Sequence, residues 1–150
     1  MIITFLGHAS FCEADKYKGL LTELLENTVK DNTVEFYLGG YGGFDSFAYS
    51  CCLEYKKSHP LTASLIFVTP YLNGAKLNEC ANNYDARIYP PIEHIPKKLA
   101  IIYRNRYMVD CSDVVVCYIK REYGGAFQGY KYAIKNKKKI YNIENFSKST

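Results

Sequence analysis

The chain has 150 residues, which fits one domain, and 48% of them are hydrophobic, enough for a sizeable core. No signal peptide is visible, and the apolar runs fall well short of the roughly 18 residues of a spanning helix, so a cytoplasmic protein with no membrane partner is expected. Net charge is only +4, from 19 basic and 15 acidic residues, which disfavours nucleic acid as a partner.

Ile2–Leu6 is a short apolar run ending at Gly7-His8 and reads as a buried first strand. Residues 14–30 place Tyr17, Leu20, Leu21, Leu24, Leu25 and Val29 at spacings of three and four, the mark of an amphipathic helix. Val34–Leu38 is the second strand. Residues 43–58 form the next helix, with Phe44, Phe47, Ala48, Cys51, Cys52 and Tyr55 on one stripe. Ser64–Thr69 is a third strand, stopped by Pro70. Residues 71–95 are irregular, and a loop of that length in a compact domain is functional or mobile. A helix follows from about Pro96 to Cys111, with proline suited to its start. Val114–Ile119 is the fourth strand, residues 126–136 a helix, and Lys139–Ile143 the fifth strand. The tail from Glu144 is polar and is expected to fray.

Strands alternating with helices, and apolar on both faces, define an α/β domain with a mainly parallel sheet of about five strands covered on both sides. Ligands of such sheets bind beyond the carboxyl ends of the strands. Gly7 and His8, the turn Gly39-Gly40-Tyr41-Gly42-Gly43-Phe44-Asp45, the loop after Val68 that carries Tyr71, and the turn Gly124-Gly125-Ala126 all lie at those ends. Glycine lets backbone approach a ligand closely, and a helix start just beyond offers free N–H groups to an anion. Two such turns indicate a phosphorylated, nucleotide-like ligand. They do not form the dinucleotide fingerprint, and there is no Walker lysine.

Asp45 opens a helix. It is either a capping carboxylate or a group facing a ribose hydroxyl or anomeric carbon. Arg104 and Arg106 point about 200° apart on a helix, so one binds ligand while the other faces solvent or pairs with Asp110. His8 is either structural or a ligand group. Asp85 and Arg87, with Tyr84, could close over a ligand from the long loop. The cysteines, at 12, 51, 52, 80, 111 and 117, have no CxxC pairing and read as reduced thiols. No spacing suggests a metal site, and no cofactor is implied. The four lysines at 135 and 137–139 read as a solvated helix end.

The run Thr4-Phe5-Leu6-Gly7-His8, then Phe36–Asp45, then Arg104-Asn105-Arg106-Tyr107-Met108-Val109-Asp110, then Gly124-Gly125-Ala126, resembles the SLOG superfamily, in order and over nearly the whole chain. It looks closest to small stand-alone members near the DUF1273 (YpsA-like) branch. The resemblance implies a single Rossmann-like, three-layer α/β/α domain over residues 1–150. The superfamily includes the LOG phosphoribohydrolases, the DNA-processing protein DprA and nucleotide-sensing domains, so a nucleotide or nucleotide-sugar ligand is implied. Arg104 matches the arginine of the LOG enzymes, with Met108 four residues on and Ser112-Asp113 eight on. Where those enzymes carry a glutamate in PGGxGTxxE, this chain has Lys131.

A carboxylate stabilises the oxocarbenium character of N-glycosidic cleavage, and a lysine does the opposite. The expected function is therefore binding of a nucleotide-derived, ADP-ribose-like ligand as a sensor, sequestering protein or carrier. The alternative is an N-glycosidase or phosphoribohydrolase in which Asp45 is the catalytic carboxylate and Arg104 holds phosphate. The expected ligand set is Gly7, His8, Gly39, Gly40, Gly42, Gly43, Asp45, Tyr71, Arg104, Gly124, Gly125 and Ala126. The resemblance and the aromatic surplus are compatible with a homodimer or higher homo-oligomer.

Overall fold

The computed structural model describes residues 1–79 and 82–148, so Cys80 lies outside the described residues. Six strands form one sheet: β1 (Ile2–Gly7), β2 (Val34–Leu38), β3 (Ala63–Val68), β4 (Ala86–Ile88), β5 (Val114–Tyr118) and β6 (Lys139–Asn142). Their order is β4-β3-β2-β1-β5-β6, and every neighbouring pair is parallel. Six helices accompany them: α1 (Ala14–Val29), α2 (Gly43–Ser58), α3 (Ala75–Glu79), α4 (Ala100–Cys111), α5 (Gly125–Lys135) and α6 (Ile143–Lys148). The architecture is Rossmann-like, a three-layer α/β/α domain.

The strands read as unbroken apolar runs because both faces are covered. On one face, Ile3, Phe5, Phe36, Leu38, Leu65 and Val116 pack with α1 and α2 residues and with Ile143. On the other, Leu6, Val115 and Cys117 pack against Val109 of α4 and Ala133 of α5. Tyr37, Ile66 and Val68 meet Met108 of α4 on that same side. Thr4 is buried there too, and its hydroxyl donates to the Met108 carbonyl at 3.0 Å. Chain direction across the sheet reverses between β1 and β5, which is where such sheets bind ligands.

Two segments differ from the sequence reading. The sheet has six strands instead of about five, because the irregular stretch contains β4. Its signal is only three residues long, and tertiary bonds hold it. Asp85 accepts the Leu65 N–H at 2.8 Å, donates its own N–H to the Leu65 carbonyl at 2.8 Å, and pairs with Lys56. Asp85 is thus an edge-strand anchor, while Tyr84 stacks on Phe67 at 5.2 Å between ring centroids. The segment expected to fray carries α6, whose Ile143 is fully buried. The helix expected to start at Pro96 begins with a 3₁₀ turn at Lys97–Leu99 before α4.

An aromatic knot sets the geometry near the site. Phe11, in the connection from β1 to α1, lies 4.9 Å from Phe47, 4.8 Å from Tyr118 and 5.5 Å from Phe44 between centroids. It draws that connection onto the start of α2. Gly43 permits the approach: its N–H donates to the Ala9 carbonyl at 2.8 Å, and a Cβ there would sit 2.1 Å from the Phe11 carbonyl oxygen. Gly43→Ala is expected to destabilise the fold by about 1–3 kcal/mol through overpacking. Gly19→Ala, on the open face of α1 where a Cβ meets nothing, is expected to stabilise it by roughly 0.5–1 kcal/mol. Thermal denaturation of both variants checks the contrast; an unchanged midpoint for Gly43→Ala would show that this close approach does not limit stability.

Candidate functional site

A cleft of about 250 Å³ lies at the carboxyl ends of β1, β2 and β5. It is lined by Gly7, His8, Gly39, Gly42, Asp45, Arg104, Gly124, Gly125 and Ala126, all in the sequence-derived set. Gly40, Gly43 and Tyr71 of that set lie outside it. Gly40 has φ 74°, and the space beside it is filled by the Phe67 ring. Gly43 is packed on the Ala9–Phe11 backbone. Tyr71 lines a separate hollow with Pro70, Ile92 and Lys97, and touches the Tyr41 ring edge-on at 6.4 Å.

Arg104 is 2% exposed. Its Nη1 donates to the carbonyls of Gly39 at 2.8 Å and Val68 at 2.6 Å, and its Nε donates to Asn105 Oδ1 at 2.9 Å. Two of its three nitrogens are therefore committed to the protein. Burial pulls its pKa below the ordinary arginine value, and Asp45 opposes that pull. Arg106, two residues on, stacks over Tyr103 at 4.9 Å and Tyr132 at 5.5 Å. Asp110, its expected partner, accepts the Tyr132 hydroxyl instead.

Asp45 does not cap α2, whose N-cap is Gly42 with no side-chain cap bond. From the first turn of α2 its Oδ2 reaches back to accept the Tyr41 N–H at 2.8 Å, and it also lines the cleft. Burial raises its carboxyl to about 6, against the lowering effects of Arg104 and the Tyr41 N–H. Asp45 and Arg104 do not pair within 4.0 Å. Both reach over Gly39, where a Cβ would stand 3.0 Å from Asp45 Oδ2 and 3.1 Å from Arg104 Nη2. A side chain at 39 would crowd both charged groups.

The two glycine turns share one backbone device. Gly42 caps α2 with φ 92° and ψ 175°, and Gly124 caps α5 with φ 96° and ψ 173°. Such φ values favour glycine. Their surroundings differ. A Cβ on Gly42 would lie 2.7 Å from Ala9, and the Ala9 carbonyl already takes the Gly43 N–H. At Gly124 and Gly125 a Cβ would meet nothing within 4 Å. The first turn is thus closed by protein, whereas the second opens on space. Lys131, further along α5, is exposed with its Nζ 5.6 Å from the Phe127 ring, and it does not line the cleft.

His8 holds the second turn in place. Its Nε2 accepts the N–H groups of Lys120 at 3.0 Å and Arg121 at 3.3 Å. That geometry requires the neutral ring with its proton on Nδ1. Burial, helped by the nearby Arg121 charge, lowers the His8 pKa accordingly.

Among the lining residues that sequence reasoning missed are Tyr41, Ile101, Asn105 and Arg121. Arg121 carried a readable signal, a basic residue between a strand end and a glycine turn. Ile101 and Asn105 carried none, since only docking of α4 brings them to the cleft.

No family model and no curated protein matches the sequence. Solved structures do share its fold. One is DNA processing protein A from Helicobacter pylori, described with a single-stranded DNA binding mode: TM-score 0.63, 19% identity, covering 93% of this chain and 63% of that one. Another is the X-ray structure of TM1055, a structural-genomics target: TM-score 0.58, 11% identity, covering 93% of this chain and 71% of that one. The chain therefore spans under two thirds of the first neighbour. At these identities the likeness establishes the fold alone, a Rossmann-like three-layer α/β/α domain. Single-stranded DNA binding is described for the Helicobacter pylori neighbour, and at 19% identity the likeness carries no binding role to this chain. No helix among the described residues is long and apolar enough to cross a membrane.

Asp45 makes stability pH-dependent in a defined direction. Its folded value, about 6, lies above the ordinary 3.8, so the folded chain holds a proton that the unfolded chain has released. The contribution favours folding at acid pH and disappears as pH rises through about 6. His8 acts oppositely, because its lowered pKa favours folding at higher pH. Subtracting Asp45→Asn from wild type cancels His8. That difference in unfolding free energy should fall by about 1.4 kcal/mol between about pH 5 and about pH 7.5. Urea titrations at both pH values measure it; a flat difference would contradict a raised Asp45.

Proposed function

We propose that this domain binds a phosphorylated, nucleotide-derived small molecule of the ADP-ribose type in the cleft between β1, β2 and β5. The observation that carries the reading is the open start of α5. Gly124 and Gly125 present backbone to empty space, beside a helix N-terminus whose first N–H groups lack intrahelical acceptors. The closed first turn supports phosphate at α5 over phosphate at α2. Asp45 and Arg104 Nη2, facing each other over Gly39, suit ribose hydroxyls, which donate to a carboxylate and accept from a guanidinium. Sensing, sequestration and carriage all need only this binding.

The second reading is N-glycosidic cleavage, favoured by one observation: a buried carboxyl held near 6 beside a buried guanidinium. Such a group can stabilise positive charge at the sugar or exchange a proton near neutral pH. Lys131 stands clear of the cleft, so its positive charge bears less on this chemistry than the sequence implied. A third ligand form, single-stranded DNA, would present the same sugar–phosphate chemistry and would show a steep salt dependence.

Mass spectrometry of the denatured protein identifies any co-purified ligand, and is expected to find a nucleotide-derived phosphate. Calorimetry with AMP and ADP-ribose then measures binding, while chromatography after incubation with AMP, NAD and cyclic ADP-ribose looks for released base or ribose phosphate. Binding without product supports the first reading. Turnover abolished by Asp45→Asn establishes the second in its place. Gly125→Asp adds a carboxylate where the phosphate is expected. It should leave the melting temperature nearly unchanged, because an acid in a first turn is favourable there, yet weaken AMP binding at least about tenfold. Unaltered affinity in that variant would move the phosphate away from α5.

A further inference from the structure

We infer that Arg121 selects for phosphate on the bound nucleotide and so fixes the ligand's direction in the cleft. Phosphate lies at Arg121 and the start of α5, and the hydroxyl-bearing sugar lies at Asp45. This rests on the nucleotide-binding reading above and names the side chain that gives it charge selectivity.

Arg121 lines the cleft beside Gly124, Gly125 and Ala126. Its backbone N–H is fixed on His8 Nε2, so the side chain starts from a held position. The guanidinium lies 4.8 Å from the ring centroid of Tyr123, itself 65% exposed. Nη1 donates to Ser10 Oγ at 3.0 Å. The Nε atom is inaccessible and has no hydrogen-bond partner, and no acceptor serves Nη2 among the described residues. Nε is shielded where it stands, so Nη2 and the unpaired positive charge are what Arg121 offers a phosphate. In Arg104, Nε is bonded to Asn105 and Nη1 to two carbonyls. Arg121 is therefore the cleft arginine with fewer of its donors committed to the protein. No acidic side chain pairs with it within 4.0 Å among the described residues, so its charge remains available to a ligand. Asp45, the acidic residue lining the cleft, belongs to the β2–α2 end and would repel a dianion placed there.

Calorimetry with AMP and with adenosine, on wild type, Arg121→Gln and Asp45→Asn, tests the assignment, with melting temperatures recorded as a folding control. Wild type should prefer AMP. Arg121→Gln should weaken AMP roughly ten- to hundredfold while leaving adenosine affinity unchanged, as expected for loss of charge-assisted bonds. Asp45→Asn should weaken adenosine and should not abolish the preference for AMP. If Arg121→Gln keeps the wild-type preference, Arg121 is not the selecting residue, although the nucleotide reading stands. If wild type binds neither AMP nor ADP-ribose, both proposals fall together.

Discussion

The Arg104 guanidinium, buried beneath the ends of β2 and β3, is the interaction on which the site depends. By donating to the Gly39 and Val68 carbonyls it ties the last residues of two strands to α4. Gly39 directly follows β2 and Val68 closes β3, so both bonds fall at the carboxyl edge of the sheet. The same cation lies near Asp45 without touching it, so each tempers the cost of burying the other. Glycine at 39 leaves room for both. Removing the arginine would therefore disturb strand ends, helix docking and the Asp45 carboxyl together, which makes it a positioning group before it is a ligand group.

The two glycine turns show how one local device acquires two uses. Gly42 and Gly124 adopt nearly the same φ and ψ, and each starts a helix. The first helix start is drawn under the β1–α1 connection by Phe11, and the Ala9 carbonyl occupies a donor there. Nothing covers the second within 4 Å. His8 fixes that turn by accepting two backbone N–H groups, a role that needs the ring uncharged. The cleft is thereby crowded at its β2 end, where the Asp45 carboxyl and the Arg104 guanidinium offset each other, and cationic and open at its β5 end. A ligand with hydroxyls at one end and phosphate at the other matches that gradient.

Much of the fold was legible in the residues. Apolar runs such as Val114–Tyr118 mark strands buried on both faces, and the stripe from Phe44 to Tyr55 marks α2. β4 was not legible, because three residues carry no usable period and Asp85 holds the strand by bonds to Leu65 and Lys56. Nor was α6, whose first residue is ordered by burial against the α1 side of the sheet. Within the site, most of the lining glycines followed from turn chemistry at strand ends. Gly40 and Gly43 did not separate from the others, because which glycine faces a cavity depends on what packs behind it.

The sequence by itself determined the alternation of strands and helices, the parallel sheet and the carboxyl edge at which the candidate cleft lies. Those follow from hydrophobic period and from backbone freedom at glycine, both of which are local. Only the tertiary structure decided that Arg104 serves carbonyls, that Asp45 is buried near it, that the first turn is closed, and that Arg121 lines the cleft without an acidic partner among the described residues. Each depends on groups tens of residues apart in the chain, such as Gly39 and Arg104 or His8 and Arg121, brought together only by packing.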